Sequence, residues 1–383
     1  MNPLSDIAHG RILVRGVNWL GDAVMTTPAL LRLREAFPAA HITLLTAEKL
    51  SELWRGHPAV DDVLTFKPRE SVVSVGWRLR ARQFTHALVL PNSPRSALEV
   101  FLAGVPFRLG YARPWRNRLL TEPLPPRRGA VAMHRRSHRE IQQLLAGSSS
   151  TNPSAPGLAA EPLPARAHQM YEYLNLVAAL GASARPLTPK LRAEPFAETG
   201  LARFFPMDSQ RTGCVIGLNP GAEYGPAKRW PVAFFADAAN ELYRRLDCEF
   251  LIFGGPADVA LAEHLRVRLA APLAHGHVTS LAGKTRLGEL MSALKHCRVL
   301  LTNDTGPMHV AAALGTPVVV PFGSTSPELT GPGLPGDPRH RLLSASVPCA
   351  PCFLRKCPID LRCLQGITPE RVVQAVMEVL AAD

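Results

Sequence analysis

Leu300-Leu301-Thr302-Asn303-Asp304-Thr305-Gly306-Pro307-Met308-His309, running on into Val310-Ala311-Ala312-Ala313-Leu314-Gly315, is the stretch around which the chain is organised. It predicts a buried strand over 298–301, a tight polar turn, and a short apolar helix that stops at Gly315; a second apolar strand, 317–322, follows at once. A turn rich in Asp, Thr and Gly at a helix start suits an anion, because free backbone N–H groups and the positive end of the helix dipole face whatever sits there. Gly306 lets backbone approach a phosphate closely, Thr305 adds a hydroxyl, and His309 falls on the first helical turn. An ordinary βα turn capped by Asp304 fits the same letters.

Moving outward, the second half repeats this alternation. Strands are expected at 214–218, 249–253, 278–281, 299–301 and 318–322, with helices at 232–245, 257–270, 287–295 and 308–314. A last helix is expected at 369–380. The first half has the same rhythm, with strands at 11–15, 42–45, 63–66 and 87–90 and helices at 23–37, 48–56, 70–83 and 94–104. Alternating strand and helix predicts an α/β fold with parallel, doubly wound sheets. Residues 113–166 break the rhythm with Pro, Arg, Ser and Gly, which predicts a mobile basic insertion with one short helix at 139–145. A helix returns at 168–180, and 186–206 reads as a linker. The expected domains are therefore 1–205 and 206–383, two doubly wound domains with a cleft between them.

The totals bound the function. A chain of 383 residues exceeds one ordinary core. No apolar run is long enough to span a bilayer, and residues 1–10 lack the apolar core of a signal peptide, so a cytoplasmic protein is expected. Lys plus Arg outnumber Asp plus Glu by 43 to 31, a formal +12, which points to an acidic partner. Aromatic residues are only 6%, with no basic patch interleaved with stacking rings, and this argues against nucleic acid.

Four turns fall where such sheets place their ligands. Gly16 to Asp22 follows the first strand, and Asp22 at a helix start is either a cap or a general base. Asn219 to Pro231 follows the first strand of the second half. There the small Gly221 and Ala222 leave room for phosphate oxygens and Lys228 supplies charge, although a solvated loop would look the same. Gly254 to Asp258 is a third strand-to-helix turn, in which Asp258 could cap the helix or hold a ribose hydroxyl. The fourth is the opening stretch. Gly331 to Gly336 spells G-x-G-x-x-G but lacks a strand before it and a helix after it, so it is a loop. No Walker loop, H-E-x-x-H or G-x-S-x-G occurs.

Seven cysteines do not make a secreted disulfide scaffold. Cys349, Cys352, Cys357 and Cys363 have the type and count for zinc or an iron–sulfur cluster, but their spacing matches neither paired knuckles nor a ferredoxin run. Reduced thiols or a local redox-sensitive disulfide are expected ahead of a metal.

Taken together, Asn18-Trp19-Leu20-Gly21-Asp22, Pro91-Asn92-Ser93, Asn219-Pro220-Gly221-Ala222 through Lys228-Arg229-Trp230-Pro231, and Thr302 to Gly306 through His309 resemble the ADP-heptose:lipopolysaccharide heptosyltransferases, glycosyltransferase family 9, most nearly in their heptosyltransferase II pattern. The resemblance covers nearly the whole chain in order. It implies a GT-B fold of two Rossmann-like domains, acceptor held mainly by the first and nucleotide sugar by the second. It also implies an inverting heptose transfer from ADP-heptose to the phosphorylated Kdo-lipid A inner core, with no metal or other cofactor.

By position, Asp22 matches the family's proposed base. Lys228 and the Asp304-Thr305-Gly306 turn match diphosphate contacts, with Gly221 and Ala222 beside them. His309 matches a donor-site residue, and Asp258 lies where the family has an acidic nucleotide contact, often Glu. On the acceptor side stand Asn18, Asn92, Ser93, Arg95 and Arg113, with Arg108 and Arg116 as further basic candidates. The partners so implied are donor and lipid-linked acceptor at the inner membrane surface, met by a monomeric, cytoplasmic and peripheral enzyme. The basic insertion departs from the compact family pattern. A nucleic-acid-binding protein, a non-catalytic nucleotide-sugar sensor and another heptose step remain as alternatives.

Overall fold

Short apolar runs followed by one polar turn and a longer amphipathic run build every repeat of this chain. The structure, a computed structural model, describes residues 7–148, 165–195, 200–204, 214–270, 272 and 275–382. Parts of the expected insertion (149–164), the expected linker (196–199 and 205–206) and the N-terminal stretch (1–6) lie outside the described residues. The chain divides into two units, Met1–Ala130 with Arg166–Arg192, and Val131–Ala165 with Ala193–Asp383.

The first unit contains β1 (Arg11–Arg15), α1 (Leu20–Ala36), β2 (His41–Ala47), β3 (Asp62–Phe66), α2 (Val72–Arg80), β4 (His86–Val89), α3 (Pro94–Leu102), β5 (Phe107–Tyr111) and β6 (Glu122–Leu124). Its sheet is parallel throughout, in the order β3-β2-β1-β4-β5-β6. Ile12, Leu13 and Val14 of β1 are fully buried, as a strand covered on both faces requires.

Helix α1 carries Pro28 in its interior, where the ring removes the N–H that would serve the Val24 carbonyl. The Thr27 hydroxyl donates to that carbonyl at 2.8 Å, so the helix runs on without an orphaned acceptor. Helix α3 starts at Pro94 behind Ser93, whose Oγ accepts from the Ser96 N–H.

Helix α4 (His138–Ser148) belongs to the second unit, followed in the chain by α5 (Met170–Ala178) of the first, which packs on α1. The second unit continues with β7 (Val215–Asn219), α6 (Val232–Leu246), β8 (Glu249–Ile252), α7 (Val259–Arg266), β9 (Val278–Ser280), α8 (Leu287–His296), β10 (Val299–Thr302), α9 (Gly306–Leu314), β11 (Val318–Phe322) and β12 (Arg341–Ser344). After the cysteine segment comes the last long helix, α10 (Pro369–Ala381), N-capped by Thr368. The second sheet is also parallel, in the order β12-β11-β10-β7-β8-β9. Counted from the first strand of each unit, the two orders are the same six-strand winding.

Both units are Rossmann-like and doubly wound, with a topological switch point at β1/β4 in one and at β7/β10 in the other. Three strands were not expected from the sequence. β5 interrupts its apolar run with Arg108 and Gly110, while β6 and β12 are edge strands that need a pattern on one side only. Pro123 is tolerated within the three-residue β6 because that strand pairs with β5 alone.

The stretch expected to be a mobile insertion is therefore partly built in. Residues 107–124 complete the first sheet, and 131–148 pack in the second unit, where Ile141 is buried against Cys349 and Cys352. Arg136 anchors that crossing: its backbone N–H donates to the Cys352 carbonyl at 3.1 Å and its side chain to the Pro348 carbonyl at 2.9 Å. No helix among the described residues is long and apolar enough to cross a membrane.

Candidate active site

The turn after β1 opens the first switch point. α1 begins at Leu20, three residues earlier than its apolar spacing suggests, so Asp22 sits inside the first turn and is not the cap. A carboxylate there gains from the helix dipole. Asp22 is half-buried, and its Oδ1 accepts from Gln169 Nε2 at 3.0 Å. The same amide donates to the Tyr173 hydroxyl at 3.0 Å. Burial first, and then the Asp22 charge, pushes the Tyr173 phenol well above its ordinary pKa. Tyr173 therefore stays a neutral hydroxyl beside the carboxylate.

Beneath this turn lies an ion triad. Glu99 is wholly buried and takes Arg15 at 2.8 Å on one oxygen and Arg95 at 2.9 Å on the other. Arg15 also donates to Asn18 Oδ1 at 2.9 Å and stacks over Phe66, 4.4 Å from its centroid. Two cations on one carboxylate satisfy a charge that would be costly alone.

The triad ties the loop after β1 to α3, and it fixes two of the expected acceptor residues, Asn18 and Arg95. Asn18 is oriented by Arg15, Ser93 caps α3, and Arg95 is held by Glu99 and by the Glu70 carbonyl at 2.6 Å. Asn92 is exposed, with its Oδ1 accepting from Arg116 at 3.2 Å. Arg113 points to solvent and donates to the Ala112 carbonyl. Arg116, a further basic candidate on the acceptor side, is fully buried, and its Nε and Nη2 have no partner among the described residues. Burial lowers its pKa to about 10, with Arg113 adding to the shift.

At the second switch point, β7 and β10 lie side by side with Asn219 opposite Thr302. Asn219 donates to the Thr302 hydroxyl at 2.9 Å. Asn303, wholly buried, donates to the Pro220 carbonyl at 2.8 Å and accepts from the Trp230 N–H at 2.9 Å. One side chain thus locks the two turns that were expected to hold the donor. Thr305 takes the N-cap position of α9 and Gly306 opens the helix, so Asp304 is not its cap.

Asp304 instead accepts from Lys228 Nζ at 2.6 Å and from the Thr325 hydroxyl on the same oxygen. Lys228 is 13% exposed and Asp304 5%, a cation held at a fixed place by a partner deeper in the protein. His309 is buried in the first turn of α9.

Gly221 packs flat on the Asp258 carboxylate, which a Cβ there would approach to 2.6 Å. Asp258 also accepts from the Gly255 N–H at 3.2 Å, the capping geometry, and faces Arg229 at 3.5 Å. Ala222 is buried beside them.

The sequence profile of glycosyltransferase family 9 (heptosyltransferase) matches residues 164–362. The chain belongs to that family. It is 29% identical over 331 residues to lipopolysaccharide heptosyltransferase 2 of Escherichia coli K12, covering 84% of this chain and 85% of the relative. The Salmonella typhimurium protein of the same name is 30% identical over 331 residues, with the same coverage. The solved structure of E. coli ADP-heptose lipopolysaccharide heptosyltransferase II superposes with a TM-score of 0.74 at 26% identity, covering 97% of this chain and 99% of that one. The protein is thus a glycosyltransferase of GT-B fold, as the four motifs implied.

Several residues that touch the expected site residues of this glycosyltransferase escaped the sequence reading. Gln169 sits just before α5 in the first unit, 147 positions from the carboxylate it touches. Thr325 reaches Asp304 from the loop after β11. Arg355 comes from the cysteine segment: its carbonyl accepts from the Ala227 N–H at 3.0 Å, and its guanidinium lies 5.2 Å from the Tyr224 ring, which Lys228 approaches from 4.9 Å. Gly225, at φ +152°, is needed there because a Cβ would come within 2.4 Å of that carbonyl. Cation and aromatic letters in F-L-R-K and A-E-Y-G were the only sequence signal for this pairing.

The cysteine segment therefore braces the Lys228 loop. Tyr224 donates to the Phe353 carbonyl at 2.7 Å, and the Cys352 and Phe353 N–H groups both donate to the Ser324 carbonyl. All four of its cysteines are free thiols lining one small cavity with Ile141. Burial, then the neighbouring sulfurs, pushes the Cys363 thiol up to about 12 and raises Cys349 and Cys352, which keeps them protonated and unreactive at neutral pH. Among the described residues no group of three or more His, Cys, Asp or Glu side chains is placed to hold a metal ion.

Proposed function

We propose that this glycosyltransferase moves L-glycero-D-manno-heptose from ADP-heptose onto a phosphorylated, heptosylated Kdo-lipid A acceptor, the second heptose step. The observation that carries it is the opposite charge presented at two corresponding switch points. A carboxylate, Asp22, stands at the switch point of the first unit, and a cation, Lys228, at that of the second. The relatives named heptosyltransferase 2, aligned over 84% of the chain, support the donor and the step.

In this reading Asp22 takes the proton from the attacking acceptor hydroxyl while Gln169 fixes its orientation. Attack on the anomeric carbon from the face opposite the diphosphate inverts the centre in one displacement. Negative charge gathers on the departing ADP, where Lys228 and the positive end of the α9 dipole stabilise it in a preorganised site. Asp258 serves the ribose, and His309 completes the donor pocket. Asn18, Asn92, Ser93, Arg95 and Arg113 line the acceptor side, where the net +12 suits phosphates and Kdo carboxylates. The chain works as a cytoplasmic monomer, peripheral at the inner membrane surface where the lipid-linked acceptor resides.

The test is ADP release and acceptor mass with purified protein, ADP-heptose and heptosylated Kdo-lipid A, in EDTA. Wild type transfers one heptose, and Asp22→Asn binds donor normally while its turnover falls about 10²–10⁴-fold. Equal turnover by both proteins removes Asp22 from the base role. Donor binding without transfer by either would favour a nucleotide-sugar sensor, and no donor binding would discard the proposal.

A further inference from the structure

Helix α2 buries Val75, Gly76 and Leu79 and turns Val73 and Trp77, 53% and 66% exposed, to solvent. The next helix, α3, buries Ala97 and Val100 and leaves Phe101 44% exposed. The two helices are neighbours: a Cβ on Gly76 would meet Leu102 Cβ at 2.6 Å, so only glycine allows the approach. The outward residues form one row. The Arg80 guanidinium lies 5.8 Å from the Trp77 ring and within 3.9 Å of a Cβ built on Gly104, the residue whose N–H donates to the Phe101 carbonyl. Arg108 then covers Phe101 at 5.4 Å. The 3-10 turn Arg116–Leu119 packs on α3 and is preceded by Trp115, 83% exposed.

Scattered apolar side chains on a surface need no explanation, but a contiguous row of aromatics threaded with arginines does. The charge is one-sided. Arg78 is paired with Glu70 at 3.2 Å, whereas Arg69, Arg80 and Arg118 have no carboxylate partner among the described residues. A soluble protein partner of matching chemistry would have to bury unpaired guanidinium groups or supply carboxylates for each. A bilayer bearing phosphate headgroups meets both demands at once: Trp and Phe settle at the headgroup level, and the arginines stay in the phosphate layer.

We infer that the α2–α3 face of the first unit, centred on Val73, Trp77, Arg80 and Phe101, docks on an anionic lipid surface. The inference deepens the proposed function, since a lipid-anchored acceptor gives the docking its purpose, but it stands on its own geometry. None of these four residues belongs to the base or donor machinery.

The full-length protein is mixed with phosphatidylglycerol-rich vesicles or with phosphatidylcholine vesicles, and the bound fraction is measured by flotation. Wild type binds the anionic vesicles, and the binding weakens as salt is raised. Trp77→Ser combined with Phe101→Ser lowers the partition coefficient about tenfold or more, and Arg80→Glu lowers it at least about fivefold. Trp77→Phe keeps the binding but loses much of the quenching of tryptophan fluorescence by brominated lipid. Turnover on a deacylated, water-soluble acceptor stays at the wild-type rate in all three variants, which shows them folded.

Absence of vesicle binding by wild type, unchanged partition in the Ser/Ser or Arg80→Glu variants, or unchanged quenching in Trp77→Phe would each overturn the inference. If wild type fails on the soluble acceptor yet binds vesicles through this face, the proposed function falls and the docking face stands. The variants' fold is then read from circular dichroism.

Discussion

The two units wind six strands in the same order and place a strand-to-helix turn at the same switch point, yet one presents a carboxylate and the other an ammonium. In the first, Asp22 is oriented by a neutral amide, Gln169, with a neutral phenol beside it. In the second, Lys228 is oriented by a charged carboxylate, Asp304. The scaffold supplies position, and the partner of each charge sets what it can do. In the proposed reaction the carboxylate held by an amide is the one that takes the proton, and the ammonium held in place by a carboxylate is the one that meets the diphosphate.

The largest effects should come from breaking that contrast. Besides Asp22→Asn, whose loss falls on turnover, Lys228→Ala should weaken donor binding and cut turnover together, about 10²–10³-fold in kcat/KM. Isothermal titration with ADP beside steady-state kinetics separates the two. If Lys228→Ala altered turnover with ADP affinity untouched, Lys228 would not be a diphosphate contact.

Next in size, Glu99→Ala leaves Arg15 and Arg95 facing each other without their shared carboxylate, so unfolding free energy should fall by about 3–5 kcal/mol. Urea denaturation checks it. A change below about 1 kcal/mol would show that the triad contributes little to the fold.

A third effect sets one histidine in each unit side by side. Burial lowers His57 in the first unit from 6.5 to about 4, and does the same to His340 in the second, partly opposed by Asp337. Between about pH 6.5 and about 4 the unfolded chain binds protons that the folded chain refuses, so stability is undiminished above that window and lost as pH falls through it. The loss is at most about 3 kcal/mol for each histidine. Unfolding free energy measured against pH in His57→Gln and His340→Gln should show a shallower acid slope than wild type.

The smallest effect sharpens the comparison most. Gln169→Leu removes the hydrogen bond that orients Asp22, so kcat should fall by about tenfold with donor binding unchanged. An unchanged kcat would reduce Gln169 to packing.

The doubly wound class, the two-domain layout and the four turns at strand ends were legible in the sequence, because each is written within one βα unit. Val299 to Leu314 carries its own strand, turn and helix in sixteen residues. The edge strands β6 and β12 were not legible, since an edge needs little apolar patterning and proline is tolerated there. Nor was the fate of Arg116, whose charged letter suggested a surface and whose side chain is fully buried beside β5. The Cys segment was read through its sulfurs, whereas in the fold its backbone carbonyls brace the Lys228 loop.

Local order, then, was determined by sequence alone: which runs form strands and helices, and which polar turns fall at strand ends. Partnership was decided only by tertiary structure. Gln169 reaches Asp22 across 147 residues, Glu99 reaches Arg15 across 84, and Thr325 and Lys228 converge on one oxygen of Asp304. Hydrogen bonds and ion pairs depend on angstroms, and distance between residues far apart in the chain is set by strand order and helix packing, which no local pattern of letters encodes.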